Sequence, residues 1–158
     1  MGKAAETSIS EIRSDRSAIC RAILEALPDW FGIPEAIDDY SDKAEALPMI
    51  VASSADGKVL GFLSLRRQTD AVCEVHVLGV MSDWHGRGIG RRLMEAAEQR
   101  ARQDGARYLS VKTLAPEAGD PAYLRTLGFY EALGFVSVEV FPTLWSPGNP
   151  CLLMIKPL

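Results

Sequence analysis

Residues 78–92 read LGVMSDWHGRGIGRR, and this stretch decides the fold. The chain before its glycines, Ala71 to Val80, is an apolar run that suits a strand. After the glycines, apolar side chains recur at helical spacing, at Ile89, Leu93, Ala96, Ala97 and Ala101. The pattern predicts a strand, a glycine-rich turn and an amphipathic helix that ends at Gly105. With a further strand at Tyr108 to Leu114, it predicts a right-handed β-α-β unit.

The glycines of the turn, Gly86, Gly88 and Gly90, leave backbone amides bare at the N-terminus of that helix. Unpaired N–H groups and the helix macrodipole favour an anion at this end. Three cationic side chains lie in or beside the first helical turn, at Arg87, Arg91 and Arg92. Because cations oppose the dipole there, the arrangement predicts a phosphate or pyrophosphate ligand. The alternative is a solvated turn whose glycines serve tight packing.

The same residues argue against two common phosphate motifs. A Walker A loop ends in Gly-Lys-Ser/Thr, whereas this loop ends in Gly90-Arg91-Arg92. The dinucleotide fingerprint requires glycine at its sixth position, which is Arg91 here. It also requires an acidic residue at the end of the next strand, which Tyr108 to Leu114 lacks. A nucleotide hydrolase and an NAD enzyme are therefore disfavoured.

The rest of the chain alternates helices and strands, with no internal repeat and no linker. Asp56-Gly57 separates two apolar runs and predicts a tight hairpin. Further helices are predicted at Ile19 to Leu27, Pro34 to Leu47 and Ala122 to Leu133. Further strands are predicted at Thr7 to Ile12, Met49 to Ser53, Lys58 to Leu65, Phe135 to Val140 and Cys151 to Lys156. This order predicts a mixed α/β sandwich rather than a doubly wound sheet.

Composition indicates one compact domain. Of 158 residues, 47% are hydrophobic and 24% are charged, which supplies one core but not two full domains. The net charge of -4 argues against nucleic acid as a partner. Cys20, Cys73 and Cys151 form no C-x-x-C pair, so neither a disulfide framework nor a metal site is indicated. Because no run approaches the ~20 apolar residues of a membrane span, a cytoplasmic protein without membrane contact is expected.

Two motifs together resemble the GNAT superfamily of acetyl-CoA-dependent N-acetyltransferases. The first is the turn His85-Gly86-Arg87-Gly88-Ile89-Gly90, which follows the strand end Leu78-Gly79-Val80. The second is Tyr130-Glu131-Ala132-Leu133-Gly134-Phe135, which is similar to the family's Tyr-Glu-x-x-Gly-Phe. The chain departs from the family at His85, where Gln or Arg is usual, and at Tyr123, where Asn is frequent.

The resemblance implies a mixed, mostly antiparallel central sheet flanked by helices, with a β-α-β-α-β coenzyme-binding core. Residues 1–158 would then form a single N-acetyltransferase domain. It implies acetyl-CoA as co-substrate and direct transfer to an amine, without a metal. The residues that it assigns to the coenzyme are Leu78, Gly79, Val80, His85, Gly86, Arg87, Gly88, Ile89, Gly90 and Arg91. Among these, the amide of Val80 would donate to the thioester oxygen.

The resemblance also assigns a general acid, Tyr130, which would protonate the departing thiolate. The alternative is a buried helix tyrosine with a solvated hydroxyl. Glu74 and His76 lie two apart on one strand and share a face, so either is a candidate base for the acceptor ammonium. The alternatives are that Glu74 pairs with a neighbouring arginine, that His76 is structural, and that water is the base. Cys73 faces the other way and is expected in the core.

The acceptor cleft of the family is bordered by two segments. Here they correspond to Trp30-Phe31-Gly32 and to a loop predicted at Phe141 to Pro150, which contains Trp145. Trp30, Phe31 and Trp145 are therefore candidate substrate contacts, and a small-molecule primary amine is the expected acceptor. Two alternatives are a protein or peptide N-acetyltransferase and a non-catalytic coenzyme-A-binding regulator. A homodimer is also expected, because exposed final strands often find a partner.

Overall fold

The computed structural model describes residues 6–158. Within that range the chain forms seven strands and four α-helices. In chain order these are β1 (Thr7–Ile12), α1 (Arg16–Glu25), α2 (Pro34–Ala44), β2 (Met49–Ser54), β3 (Val59–Arg67), β4 (Val72–Val80), α3 (Ile89–Gln103), β5 (Tyr108–Leu114), α4 (Pro121–Ala132), β6 (Val136–Ser146) and β7 (Asn149–Pro157). Single 3-10 turns lie at Ser82–Trp84 and Pro116–Ala118.

The strands form one sheet in the order β1-β2-β3-β4-β5-β7-β6. β4 and β5 are parallel and are connected through α3. The pairs β1 with β2, β2 with β3, β5 with β7 and β6 with β7 are antiparallel. The predicted mixed, mostly antiparallel sheet with flanking helices is therefore confirmed, as is the β-α-β unit around the glycine turn.

The described chain divides into two compact units. The first runs up to Arg66 and includes His76–Arg100. Its core packs the buried side of α1 and α2 on the sheet, through Cys20, Ile23, Leu24, Leu27, Ile37, Ala44, Met49, Val51, Phe62 and Val77. Arg92 and Arg100 on α3 bond to Thr7 and Glu11 on β1, which fastens the helix to the edge of the sheet.

The second unit comprises Arg67–Val75 and Ala101–Leu158. Residues Val72 to Val75 pair with Tyr108 to Val111, and β5 in turn pairs with β7 along its whole length. The buried side chains of this unit include Leu109, Val111, Leu133, Phe135, Cys151, Leu152 and Met154. β6 is the outer strand of the sheet and exposes Val136 and Val138 by more than half, at 56% and 54%.

Several predicted boundaries differ from the structure, among them α1, which spans Arg16–Glu25 rather than Ile19 to Leu27. α2 ends at Ala44 rather than Leu47, because Pro48 disfavours helical backbone at the residue before it. The predicted loop from Phe141 to Pro150 is mostly strand, since β6 continues to Ser146 and β7 begins at Asn149. An edge strand tolerates Pro142, and after a register shift between Phe141 and Ser146 the pairing with β7 resumes at Ser146, opposite Asn149. The turn itself is reduced to residues 147–148, where Gly148 has φ 88°.

Candidate active site

The glycine turn has the backbone that only glycine adopts without strain. After the 3-10 turn at Ser82–Trp84, Gly86 has φ 73° and Gly88 has φ 81°. A Cβ at either position would meet nothing within 4 Å, so the requirement is conformational rather than steric. α3 begins at Ile89, and the N–H of Arg92 donates to the carbonyl of Gly88 at 3.1 Å. The amides that precede Arg92 therefore lie at the helix N-terminus, with the geometry of an anion site.

The three arginines of this turn have different surroundings. Arg92 donates to the carbonyl of Thr7 from both terminal nitrogens, at 3.2 Å, and also contacts the Thr7 hydroxyl. The guanidinium carbon of Arg87 lies 4.8 Å from the centre of the Trp84 ring, a cation–π contact. Arg91 is exposed. Arg92 is thus hydrogen-bonded to β1, and the charge of an anion at the turn would be balanced by Arg87 and Arg91.

His85 connects the turn to two other predicted site residues. Its Nε2 lies 2.5 Å from the carbonyl oxygen of Val80, at the end of β4. Its ring packs edge-to-face on Trp30, with 5.5 Å between ring centres. The structure therefore brings Trp30, Val80 and His85 together.

Close packing on both sides explains the glycine in Leu78-Gly79-Val80. A Cβ on Gly79 would lie 3.0 Å from Cγ2 of Ile23 and 3.3 Å from Cδ1 of Leu27, both on α1. A Cβ on Gly61 of β3 would lie 3.0 Å from the carbonyl oxygen of Gly79. The missing side chains let α1 and β3 approach the end of β4, which fixes the backbone that carries Val80.

His76 belongs to a row of half-buried aromatic rings in the same unit. Its ring lies 5.3 Å from that of Tyr40 on α2, and Tyr40 lies 6.2 Å from Phe31, both edge-to-face. Phe31 and His76 were predicted site residues, whereas the sequence analysis missed Tyr40 between them. Its spacing from Ile37 and Ala44, three and four residues away, is the pattern that places it on the inner face of α2.

Glu74 lies in the second unit, within a polar cluster between β4 and β5. It is 4% exposed and accepts a charged hydrogen bond from Lys112. Gln68 Nε2 also donates to Glu74, at 3.4 Å, and Ser110 donates to Gln68 Oε1 at 2.7 Å. The expectation that Glu74 pairs with a cation is met by Lys112 rather than by Arg67, which donates to backbone carbonyls. Register explains this, since Glu74 pairs with Ser110 and Lys112 follows two residues later on the same face.

Tyr130 is buried at the C-terminus of α4, with 6% of its surface exposed. Phe135 N–H donates to the carbonyl of Tyr130 at 3.1 Å, and Gly134 N–H donates to that of Glu131 at 3.0 Å. With Gly134 at φ 97°, these two bonds form a Schellman C-cap. The Tyr130 ring packs on Phe135, 5.6 Å away, as the cap geometry favours.

Trp145 lies near the end of β6, where it is 43% exposed. The prediction that it lies on a loop is therefore wrong. Trp145 lies in the second unit, whereas Trp30 and Phe31 lie in the first. Its role as a substrate contact stays a prediction.

The cysteines are unsuited to nucleophilic catalysis. Burial raises the pKa of the Cys20 thiol to about 11, partly offset by a hydrogen bond with Ser41. Burial also raises the pKa of Cys151, and Cys73 is only 5% exposed, as predicted for a core residue.

Among the described residues, no three His, Cys, Asp or Glu side chains converge to hold a metal. Nor does any helix in residues 6–158 have the length and apolar character needed to cross a membrane.

Comparison with known proteins identifies the family. The profile of the acetyltransferase (GNAT) family matches residues 16–135, which is most of the chain. The protein therefore belongs to the GNAT family and is an acyltransferase. The resemblance noted in the two motifs is confirmed.

Individual relatives agree with this assignment. The L-methionine sulfoximine/L-methionine sulfone acetyltransferase of Pseudomonas paraeruginosa is 35% identical over 95 residues, 58% of this chain and 52% of the relative. The match thus spans about half of that relative's length. A GNAT-family protein from Desulfovibrio desulfuricans superposes with TM-score 0.82 at 18% identity, covering 96% of this chain and 99% of that one. An aminoglycoside 6'-N-acetyltransferase complexed with coenzyme A superposes with TM-score 0.73 at 20% identity, covering 95% and 96%.

Proposed function

We propose that the protein transfers an acetyl group from acetyl-CoA to the primary amine of a small molecule, by direct attack within a ternary complex. The chain would act as a single N-acetyltransferase domain. The observation that carries the proposal is the continuity of the site: β4 ends at Val80, five residues before a glycine turn that opens α3. One short segment thereby presents both a donor for an acyl oxygen and a cradle for a phosphate.

The turn suits the pyrophosphate of coenzyme A. Gly86 and Gly88 have positive φ and open surroundings, so no Cβ would obstruct a ligand at the amides of the turn. The positive end of α3, reinforced by Arg87 and Arg91, would balance the phosphate charge. Acetyl-CoA supplies the thioester to be cleaved.

The chain's own groups supply the other steps of transfer. The Val80 N–H would donate to the thioester oxygen, where negative charge develops as the amine nitrogen attacks the acyl carbon. As the C–N bond forms, the C–S bond breaks and the thiolate takes the phenolic proton of Tyr130. The Schellman cap supports this role because it holds the Tyr130 ring in one orientation.

The sequence left two candidate bases, Glu74 and His76, and the contacts of these side chains favour His76. Glu74 already accepts hydrogen bonds from Lys112 and Gln68, so its carboxylate is engaged within the polar cluster between β4 and β5. His76 lies beside Tyr40, which in turn contacts Phe31, the residue that the resemblance assigns to the acceptor cleft. We therefore assign the ammonium proton to His76, directly or through a water.

Two observations support a small acceptor. The relative from Pseudomonas paraeruginosa is named for amino acid analogues, and the structural neighbour in complex with coenzyme A is named for aminoglycosides. Trp30, Phe31 and Tyr40 are half-buried aromatic residues, which suit an amine carried on an apolar or cationic body.

The homodimer expected from the exposed final strand stays a prediction.

A thermal-shift titration with acetyl-CoA, coenzyme A and ATP tests the coenzyme assignment. Ligand at a hundred times its Kd stabilises the fold by about 2.7 kcal/mol, which raises Tm by several degrees. Gly88→Ala should lose this shift, whereas Gly57→Ala should retain it. Both glycines have positive φ and open surroundings, so the two variants carry the same backbone strain. A shift with ATP equal to that with acetyl-CoA would contradict the proposal.

Thiol release then tests the acceptor class. The panel contains methionine sulfoximine, an aminoglycoside, a polyamine and a peptide with a free N-terminus. Turnover with one or more of the small amines supports the proposal. Turnover with the peptide alone would replace it by peptide acetylation, and binding of acetyl-CoA without any turnover would leave a coenzyme-A-binding regulator.

A further inference from the structure

His85 occupies the first position of the glycine turn, yet its side chain is directed back toward β4. Its Nε2 lies 2.5 Å from the carbonyl oxygen of Val80. A carbonyl oxygen only accepts hydrogen bonds, so Nε2 must carry the hydrogen. This fixes the tautomer of the neutral ring and leaves Nδ1 as its remaining polar atom.

The hydrogen bond from His85 is one of two that hold the peptide unit between Val80 and Met81. On the other side of that unit, the N–H of Met81 donates to the carbonyl of Leu60 on β3, at 2.8 Å. The Val80–Met81 peptide is therefore held at both its N–H and its C=O. Since a peptide is planar, the two bonds together fix ψ of Val80. Removing the His85 bond frees the C=O side and lets the end of β4 turn.

The His85 imidazole also packs on the segment that connects α1 and α2. Trp30 follows α1 and packs edge-to-face on the His85 ring at 5.5 Å. Trp30 also packs against the hydrophobic core of that unit, so it is a firm support for the ring. The imidazole thus has one nitrogen on Val80 and its ring against Trp30, although the residue as a whole is exposed.

We propose that His85 is a positioning residue for acyl transfer rather than a coenzyme ligand. It holds the peptide that follows Val80 and so anchors the α-carbon next to the Val80 N–H, the oxyanion donor, and its ring packs on Trp30. This inference rests on the proposed function for its catalytic meaning. Its structural part, that the imidazole fixes the Val80 backbone, holds in the free protein.

The kinetic test compares His85→Phe with His85→Gln. Phenylalanine keeps the ring contact with Trp30 and removes the donor, whereas glutamine supplies an amide N–H at a similar reach. His85→Phe should lower kcat about tenfold, with the Kd for acetyl-CoA within about twofold of the parent value. His85→Gln should recover most of kcat. A tenfold weaker Kd with unchanged kcat would overturn the proposal and make His85 a coenzyme ligand.

A second measurement needs no activity. In 1H-15N spectra of the free protein, His85→Phe should shift the amides of Val80 and Met81 and speed the hydrogen exchange of Met81. His85→Gln should move both back toward the parent values. Unchanged amides in His85→Phe would overturn the proposal even if the enzyme turns over. Shifted amides in a protein that fails to bind acetyl-CoA would instead refute the proposed function and leave the positioning contact intact.

Discussion

Tyr130 and Phe135 are joined twice, by a backbone hydrogen bond of 3.1 Å and by packed rings 5.6 Å apart. Both contacts belong to the Schellman cap that ends α4, with Gly134 in the left-handed conformation between them. The residues of the family motif Tyr-Glu-x-x-Gly-Phe therefore have a structural role in this chain. The glycine ends the helix, and the phenylalanine packs on the tyrosine ring.

Gly134→Ala should disturb Tyr130 from a distance. A residue with a Cβ at φ 97° adds about 1–2 kcal/mol of strain, so the free energy of unfolding should fall by about that amount. Turnover should fall as well, because the cap no longer fixes the ring. Urea denaturation and kcat measure the two effects.

Gly128→Ala provides the control in the same helix. Gly128 lies within α4, is exposed, and a Cβ there would meet nothing within 4 Å. Alanine should therefore stabilise the protein by about 0.5–1 kcal/mol and leave kcat unchanged. A loss of kcat in both variants would show that the cap is not what couples Gly134 to the site.

Tyr130→Phe should separate chemistry from binding. If the phenol protonates the thiolate, kcat should fall about a hundredfold, with little change in the Kd for acetyl-CoA. The ring contact with Phe135 is retained, so Tm should stay close to that of the parent. Steady-state kinetics with thiol detection makes the measurement, and equal kcat values would remove Tyr130 from the mechanism.

The pH-rate profile distinguishes the two candidate bases. A base must be unprotonated to accept the ammonium proton, so kcat/KM of the parent should fall on the acidic side. His76→Ala should flatten that limb and lower the plateau, whereas Glu74→Gln should keep the limb in place. A limb that survives in His76→Ala and disappears in Glu74→Gln would reverse the assignment.

The sequence predicted those parts of the molecule that depend on neighbours along the chain. The glycine turn, the amphipathic helix after it and the Asp56-Gly57 hairpin all follow from local spacing and turn chemistry. Gly86 and Gly88 have the glycine-specific backbone of a tight turn, whereas the anion site at that turn stays a prediction. Hydrophobic periodicity records only which face of an element is buried, so it gave the α/β class correctly but not the length of β6.

The contacts that the sequence missed depend on the path of the folded chain rather than on residue spacing. Lys112 reaches Glu74 because β4 and β5 are parallel in one particular register, which no residue spacing reveals. Tyr40 reaches His76 because α2 packs against β4, a contact between elements that lie far apart in the sequence. The bond from His85 to Val80 depends on the path of the turn, since residues five apart in a loop have no fixed separation.

The pair of Glu74 and Lys112 should control stability more than turnover. Lys112→Met leaves the carboxylate of Glu74, which is 4% exposed, without its cation, so the free energy of unfolding should fall by about 2 kcal/mol or more. Adding Glu74→Gln to Lys112→Met removes the isolated charge and should restore most of that loss. Urea denaturation of the two single variants and the double variant gives the coupling energy. Additive losses would show that the pair is not coupled.

Cys20 makes the protein sensitive to alkali. Burial raises the pKa of its thiol to about 11, above the value near 9 of an exposed thiol. The unfolded chain therefore loses this proton first as pH rises, while the folded protein keeps it. The stabilisation is complete below pH 9 and is lost between pH 9 and 11, at a cost of about 3 kcal/mol. Cys20→Ala loses packing at every pH but should show a shallower fall in the free energy of unfolding from pH 8.5 to 10.5. Parallel slopes for parent and variant in urea titrations would show that another group controls the alkaline transition.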